Sequence, residues 1–137
     1  MNITKVMTLS CITFKNGIIM YVKNKGFEYE KIAKNFLMSN NYEIIEENFS
    51  CKFGEIDIIA SKDERLHFIE VKGRKNTEHG LPREAVTLSK QNRIIKAAKF
   101  YFMLLGSDDV LCQFDVIEII IENNLINHIE NAFWTST

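Results

Sequence analysis

Two short runs hold the residues with the most chemistry to offer: Gly54-Glu55-Ile56-Asp57-Ile58-Ile59 and Phe68-Ile69-Glu70-Val71-Lys72. In an extended strand, alternate side chains share a face. Glu70 and Lys72 therefore point one way, with Ile69 and Val71 on the opposite, buried side. Asp57 is flanked by Ile56 and Ile58 in the same manner. If the runs are antiparallel neighbours, their backbones lie about 4.8 Å apart and Asp57 and Glu70 converge on one point. Two carboxylates at the end of a sheet make a hard-oxygen site suited to Mg2+ or Mn2+, with waters that a phosphate can displace. A lysine beside them supplies positive charge next to a scissile phosphate or its attacking water. That is a workable arrangement for phosphodiester hydrolysis. It is also compatible with a structural network in which Lys72 neutralises a carboxylate, since a half-buried Asp or Glu is costly unless paired or metal-bound.

These residues need a sheet and flanking helices to hold them. Residues 28–39 read as a helix, with Tyr29, Ile32, Ala33, Phe36 and Leu37 at amphipathic spacing and Asn40-Asn41 as a stop signal. At 100° per residue, Glu30 falls beside the Ala33–Leu37 edge of the buried face, where it can look into a cleft. Its plainer role is an i,i+4 pair with Lys34, worth a few tenths of a kcal/mol. Strand-like runs follow at 42–50, 54–60 and 65–72, separated by short polar breaks in the manner of a meander. Residues 73–84 carry Gly73, Gly80 and Pro82 and read as an exposed loop. A long helix is expected over 85–105, its apolar arc formed by Ile94, Ile95, Ala98, Tyr101, Phe102 and Leu105 and its end marked by Gly106. The apolar run 111–121 reads as a strand buried on both faces, and Asn123-Asn124 turns into a last strand at 125–130. The order α-β-β-β-α-β implies a crossover and a parallel pairing inside a mixed α/β sheet flanked by helices. The first residues are harder to read. Asn16-Gly17 between apolar runs signals a hairpin, a loose arm is the alternative, and Met20 is a second candidate start of translation. The chain divides into an N-terminal extension, 1–24, and a single domain, 25–137.

Composition narrows the partners. A chain of 137 residues, 46% hydrophobic and 26% charged, is an ordinary globular domain. A formal net charge of -1 means that binding to nucleic acid needs a local patch. Such a patch exists: from Val71 to Phe100 eight Lys and Arg face only Glu78 and Glu84, whereas Tyr101 to Thr137 has no Lys or Arg. Lys90, Gln91 and Arg93 open the long helix just after the loop that follows Lys72 and Arg74. They are candidate phosphate contacts, or else a solvated helix face. Cys11, Cys51 and Cys112 are odd in number and far apart, which points to reduced thiols and a cytoplasmic protein. No window is apolar enough for a membrane span, and His67, His79 and His128 lack zinc-ligand spacing.

Taken together, Glu30-x-x-Ala33, Asn48…Gly54-Glu55-Ile56-Asp57, Phe68-Ile69-Glu70-Val71-Lys72-x-Arg74 and Phe114-Asp115-Val116 resemble the YraN-like family of small, uncharacterised bacterial proteins. The resemblance covers roughly residues 25–133. It implies the restriction-endonuclease-like fold of the PD-(D/E)xK nucleases, and hence a nuclease-like domain over 25–137. It places Asp57 and Glu70 as metal ligands, with the Val71 carbonyl reaching the same Mg2+ or Mn2+. Lys72 becomes the catalytic lysine and Glu30 a supplementary acid. Tyr29 replaces the family's usual glycine before that acid, and Gln113 replaces an arginine. Asp115 matches a family position and reads as structural or as a support to the site. The expected function is metal-dependent cleavage of nucleic acid, DNA before RNA, selective for structure more than for sequence because no separate DNA-reading module is evident. The alternative is a non-catalytic nucleic-acid-binding module of the same fold. Oligomeric state stays open, a dimer included.

Overall fold

The computed structural model describes residues 3–8, 25–107 and 109–135. In chain order the elements are β1 (Ile3–Thr8), α1 (Lys25–Ser39), β2 (Glu43–Cys51), β3 (Gly54–Lys62), β4 (Arg65–Arg74), a 3-10 turn (Pro82–Ala85), α2 (Leu88–Leu105), β5 (Leu111–Ile120) and β6 (Leu125–Phe133). The strands form one mixed sheet in the order β1-β6-β5-β4-β3-β2. The expected parallel pair is β4 with β5, running from Arg65↔Leu111 to Arg74↔Ile120, with α2 as the crossover. Every other neighbour is antiparallel.

The helices cover opposite faces. On one face, Ile32, Ala33, Phe36 and Leu37 of α1 pack on Ile58, Ile69, Val71, Ile117 and Ile119. On the other, Ile94, Ala97, Ala98 and Tyr101 of α2 pack on Ile56, Ile59, Phe68, Phe114 and Val116. Central β5 is buried from Phe114 to Ile120, as its apolar run required. Removing a ring such as Phe36, fully buried here, would cost about 3–5 kcal/mol.

The boundaries depart from the sequence reading for local reasons. The second helix starts at Leu88, not 85, because Pro82–Ala85 forms a separate 3-10 turn and the Thr87 side chain caps α2 by accepting from the Lys90 N–H at 3.2 Å. Leu105, expected in its apolar arc, is exposed at the last turn before Gly106 (φ 71). Within the segment read as an extension, Ile3–Thr8 is an edge strand on β6. Its apolar residues Ile3, Val6 and Met7 do not alternate, so it lacks the period-two signal. The Asn16-Gly17 hairpin lies outside the described residues.

β6 runs past its expected end because Asp115 fastens it. The β5–β6 register shifts between Phe114 and Val116, and Asn131 there has φ 55. Asp115 Oδ1 accepts from the Asn131 N–H at 3.0 Å and from Gln113 Nε2 at 2.9 Å. Its Oδ2 lies 2.7 Å from His67 Nδ1 and 2.9 Å from His128 Nε2. Burial opposes ionisation of Asp115, but the hydrogen bonds and charge of His128 and His67 outweigh it and hold the carboxyl well below the usual range. A group with a depressed pKa stabilises the fold above its unfolded pKa and ceases to as pH falls through the folded one. Asp115→Ala is therefore expected to lose about 3 kcal/mol or more at neutral pH. The difference from wild type should shrink in strong acid, read by denaturant melts across pH.

Candidate active site

Asp57 occupies the rung where the β2–β3 hairpin changes face. Ile58 packs under α1, but Ile56 packs under α2. Strict alternation would put both on one side, which was the expectation. Opposite Asp57, between the paired Glu47↔Ile58 and Phe49↔Ile56, stands Asn48 with φ 54. Asparagine tolerates this left-handed conformation better than most residues. The kink turns the outer hairpin toward α2 and leaves Asp57 between the two faces. The β3–β4 ladder also ends here, at Ile58↔Ile69. One rung further, the Asp57 carboxylate accepts the Val71 N–H through Oδ2 at 2.8 Å. A side chain thus closes the gap between the strands.

The resulting cleft has a volume of about 440 Å3. Glu30 enters it from α1, Asp57 from β3, Glu70 and Lys72 from β4, and Lys90 from α2. Glu30 and Glu70 each share a hydrogen bond with Asp57. Glu70 is only 2% exposed, and its Oε2 lies 3.5 Å from Lys90 Nζ and 3.9 Å from Lys72 Nζ. Burial foremost, then its hydrogen bond with Asp57 and that group's charge, push the Glu70 carboxyl up to about 8 against the pull of both lysines. Burial and Asp57 likewise push Glu30 up to about 7. A neutralised ion-pair network would lower these values. Burial is the main cause of both raised values, with Asp57 adding to it, and the oxygen-only donor set of the three carboxyls suits a hard divalent cation.

Several details position the cluster. Lys34 does not pair with Glu30; its Nζ bonds Glu47 at 2.9 Å across to β2, leaving Glu30 to face Asp57. Tyr29 lies flat against Gly73, where any side chain would collide with its ring. This contact seats the first turns of α1 on the end of β4. Behind the cleft, buried Glu118 accepts from Arg83 N at 3.0 Å and Arg83 Nε at 3.2 Å. That anchor ties the 3-10 turn to β5, so that α2 begins with Lys90 above Glu70.

The other sequence candidates divide. Val71 and Arg74 line the cleft, Arg74 donating to the Gly73 carbonyl at 2.8 Å. Gln91 turns back to the Val86 carbonyl at 3.1 Å. Arg93 lies outside the cleft, its Cβ against Gly54 of the hairpin. Asp115 and its histidines do not line it. Tyr29 and Lys75 do line it and were not singled out as functional; Gly73, too crowded for a side chain, was the available sign for Tyr29. Among the described residues, only His67, Asp115 and Glu130 bring three ligand atoms within 4.8 Å of one another. Two of those atoms are already hydrogen-bonded together.

A model of the uncharacterised protein family UPF0102 matches residues 29–119. The chain belongs to this family. Similar UPF0102 proteins include one from Clostridium perfringens (strain SM101 / Type A), 50% identical over 99 residues, covering 72% of this chain and 81% of the relative. Another, from Caldicellulosiruptor bescii, is 44% identical over 119 residues, 83% of this chain and all of the relative. A third, from Clostridioides difficile (strain 630), is 42% identical over 111 residues, 81% of this chain and 97% of the relative. The UPF0102 match takes in every residue of the carboxylate cluster and all three cleft lysines, Lys72, Lys75 and Lys90, while β1 and β6 fall outside it. No described helix is long and apolar enough to cross a membrane.

The raised carboxyls have a measurable signature. A group whose pKa is raised by folding stabilises below its unfolded pKa and loses that contribution as pH rises through the folded one. Without divalent metal, the protein should therefore lose stability between about pH 5 and 8 as Glu30 and then Glu70 ionise. Glu70→Gln should flatten that decline, and millimolar Mg2+ should reverse it in wild type only. Thermal melts over this pH range, with and without metal, check the outcome.

Proposed function

We propose that this protein is a metal-dependent nuclease with a restriction-endonuclease-like core, hydrolysing phosphodiester bonds in nucleic acid, DNA in preference to RNA. The observation that carries the reading is the convergence of Asp57, Glu70 and Lys72 from adjacent strands in one cleft. Asp57 and Glu70, with the Val71 carbonyl, would hold Mg2+ or Mn2+, which when bound polarises the scissile phosphate and acidifies a water. The Val71 N–H fixes the Asp57 carboxylate through Oδ2. Lys72, with a side chain 28% exposed, extends to the cleft, where its ammonium can orient the attacking water and stabilise charge on the phosphate. Lys90 offers a second cation to the same phosphate from the α2 side, and Arg74 to a neighbouring one. Glu30 meets Asp57 and supports the ligand set through it. Arg93 extends the cationic surface along α2, and Gln91 contributes its place in the first turn. Selectivity for nucleic-acid structure over sequence fits a fold whose cations address phosphates.

A cleavage assay on duplex, branched and single-stranded DNA and on RNA, with and without Mg2+ or Mn2+, tests this. Glu70→Ala and Asp57→Ala should abolish cleavage and the metal-induced rise in melting temperature. Lys72→Ala should abolish cleavage but keep that rise, because lysine supplies charge and not a ligand. Asp57→Asn should raise the metal-free melting temperature by relieving carboxylate crowding. No cleavage and no metal response in wild type, with Asp57→Asn clearly destabilised, would mean that the cluster is structural.

A further inference from the structure

The outer β2–β3 hairpin leans on α2, and the seam between them is a groove of about 430 Å3. Lys52, Phe53, Lys96, Lys99, Phe100 and Met103 line it, and no acidic side chain does. Phe53, at the hairpin tip, is 39% exposed; its ring meets Phe100 with centroids 6.1 Å apart, and Lys52 Nζ stands 5.1 Å from its centroid. On a helical projection Arg93, Lys96, Phe100 and Met103 fall within about 80° on one flank of α2. Lys90, which faces Glu70 in the cleft, lies on the same helix about 15 Å from Phe100 at 1.5 Å per residue. Arg93 sits between them, against the hairpin at Gly54.

We infer that this groove binds single-stranded nucleic acid, with an unpaired base stacked on Phe53 and the backbone drawn along Lys52, Lys96 and Lys99 toward the cleft. Charge selects the occupant: three lysines without an acid complement a phosphate chain. The half-exposed ring selects the form, since unstacked bases offer a face to an aromatic side chain and bases within a duplex do not. The inference deepens the nuclease reading, naming the substrate as nucleic acid with a single-stranded arm, and depends on that reading only for the strand's destination.

Anisotropy of a labelled oligodeoxythymidylate and of a hairpin duplex, both in EDTA, isolates binding from cleavage. Wild type should bind the single strand more tightly. Phe53→Leu, which keeps apolar area but has no aromatic face, should weaken single-strand binding about fivefold or more, and Phe53→Trp should restore it on an equally stable fold. Lys96→Ala should reduce the slope of log affinity against log salt by about 0.7. A duplex preference, absent binding, or a Phe53→Leu variant that binds like wild type overturns the groove assignment. Cleavage of DNA with Mg2+ is scored separately. Phe53-dependent binding without cleavage keeps the groove and removes the nuclease reading; cleavage without Phe53-dependent binding does the reverse.

Discussion

The carboxylate of Asp57 on the Val71 N–H is the constraint around which the site is organised. Backbone ladder bonds between β3 and β4 stop at Ile58↔Ile69, and a buried N–H beyond that point needs another acceptor. An aspartate supplies it and is held rigidly in consequence. Because the same rung carries the reversal of faces, Asp57 is reached by Glu30 from α1 and by Glu70 from the neighbouring strand. One hydrogen bond therefore fixes the meeting point of three elements. Without it, the β3 end of the cleft would have no defined position for a ligand.

Such a cluster opposes folding in the metal-free chain. Three carboxylates lie together with one of them almost fully buried, and the lysines that approach do so at 3.5 and 3.9 Å, too far for short, strong ion pairs. The opposition is offset elsewhere. Two apolar layers, one under each helix, bury large side chains such as Phe36, Phe68, Ile94 and Ile117. Two buried carboxylates away from the cleft are well satisfied: Asp115 holds four partners and Glu118 bonds both Arg83 and Asn127. The carboxylate crowding of the cleft thus sits on the surface of a core that can bear it.

Much of this arrangement was legible in residue patterns. Alternation in Phe68–Lys72 placed Ile69 and Val71 in the core, and the uninterrupted apolar run of β5 indicated burial on both faces. The strand, helix, strand order indicated the parallel pair. What escaped was set by geometry that no local pattern encodes. The face change at Asn48 depends on a single positive φ. Lys34 had two acidic neighbours in reach, and its choice of Glu47 rested on where β2 lies beneath α1. His67 and His128 are far apart in sequence and meet on Asp115 only after β4, β5 and β6 are side by side. Gln91, legible as a helix-opening polar residue, was claimed by the backbone of its own preceding turn.

β2 stands at the rim of the sheet, with no further strand beyond it among the described residues. An open strand is a template that another chain can extend. This one is poorly shaped for the purpose. Its ladder is irregular between Ile44 and Glu46, it bends again at Asn48, and it displays Glu43, Glu46 and Glu47 to solvent. A second copy approaching edge to edge would bring like charges together on a backbone that is not straight. The kink that delivers Asp57 to the cleft also makes the rim hard to copy, so the feature that equips the site discourages the chain from polymerising through its sheet.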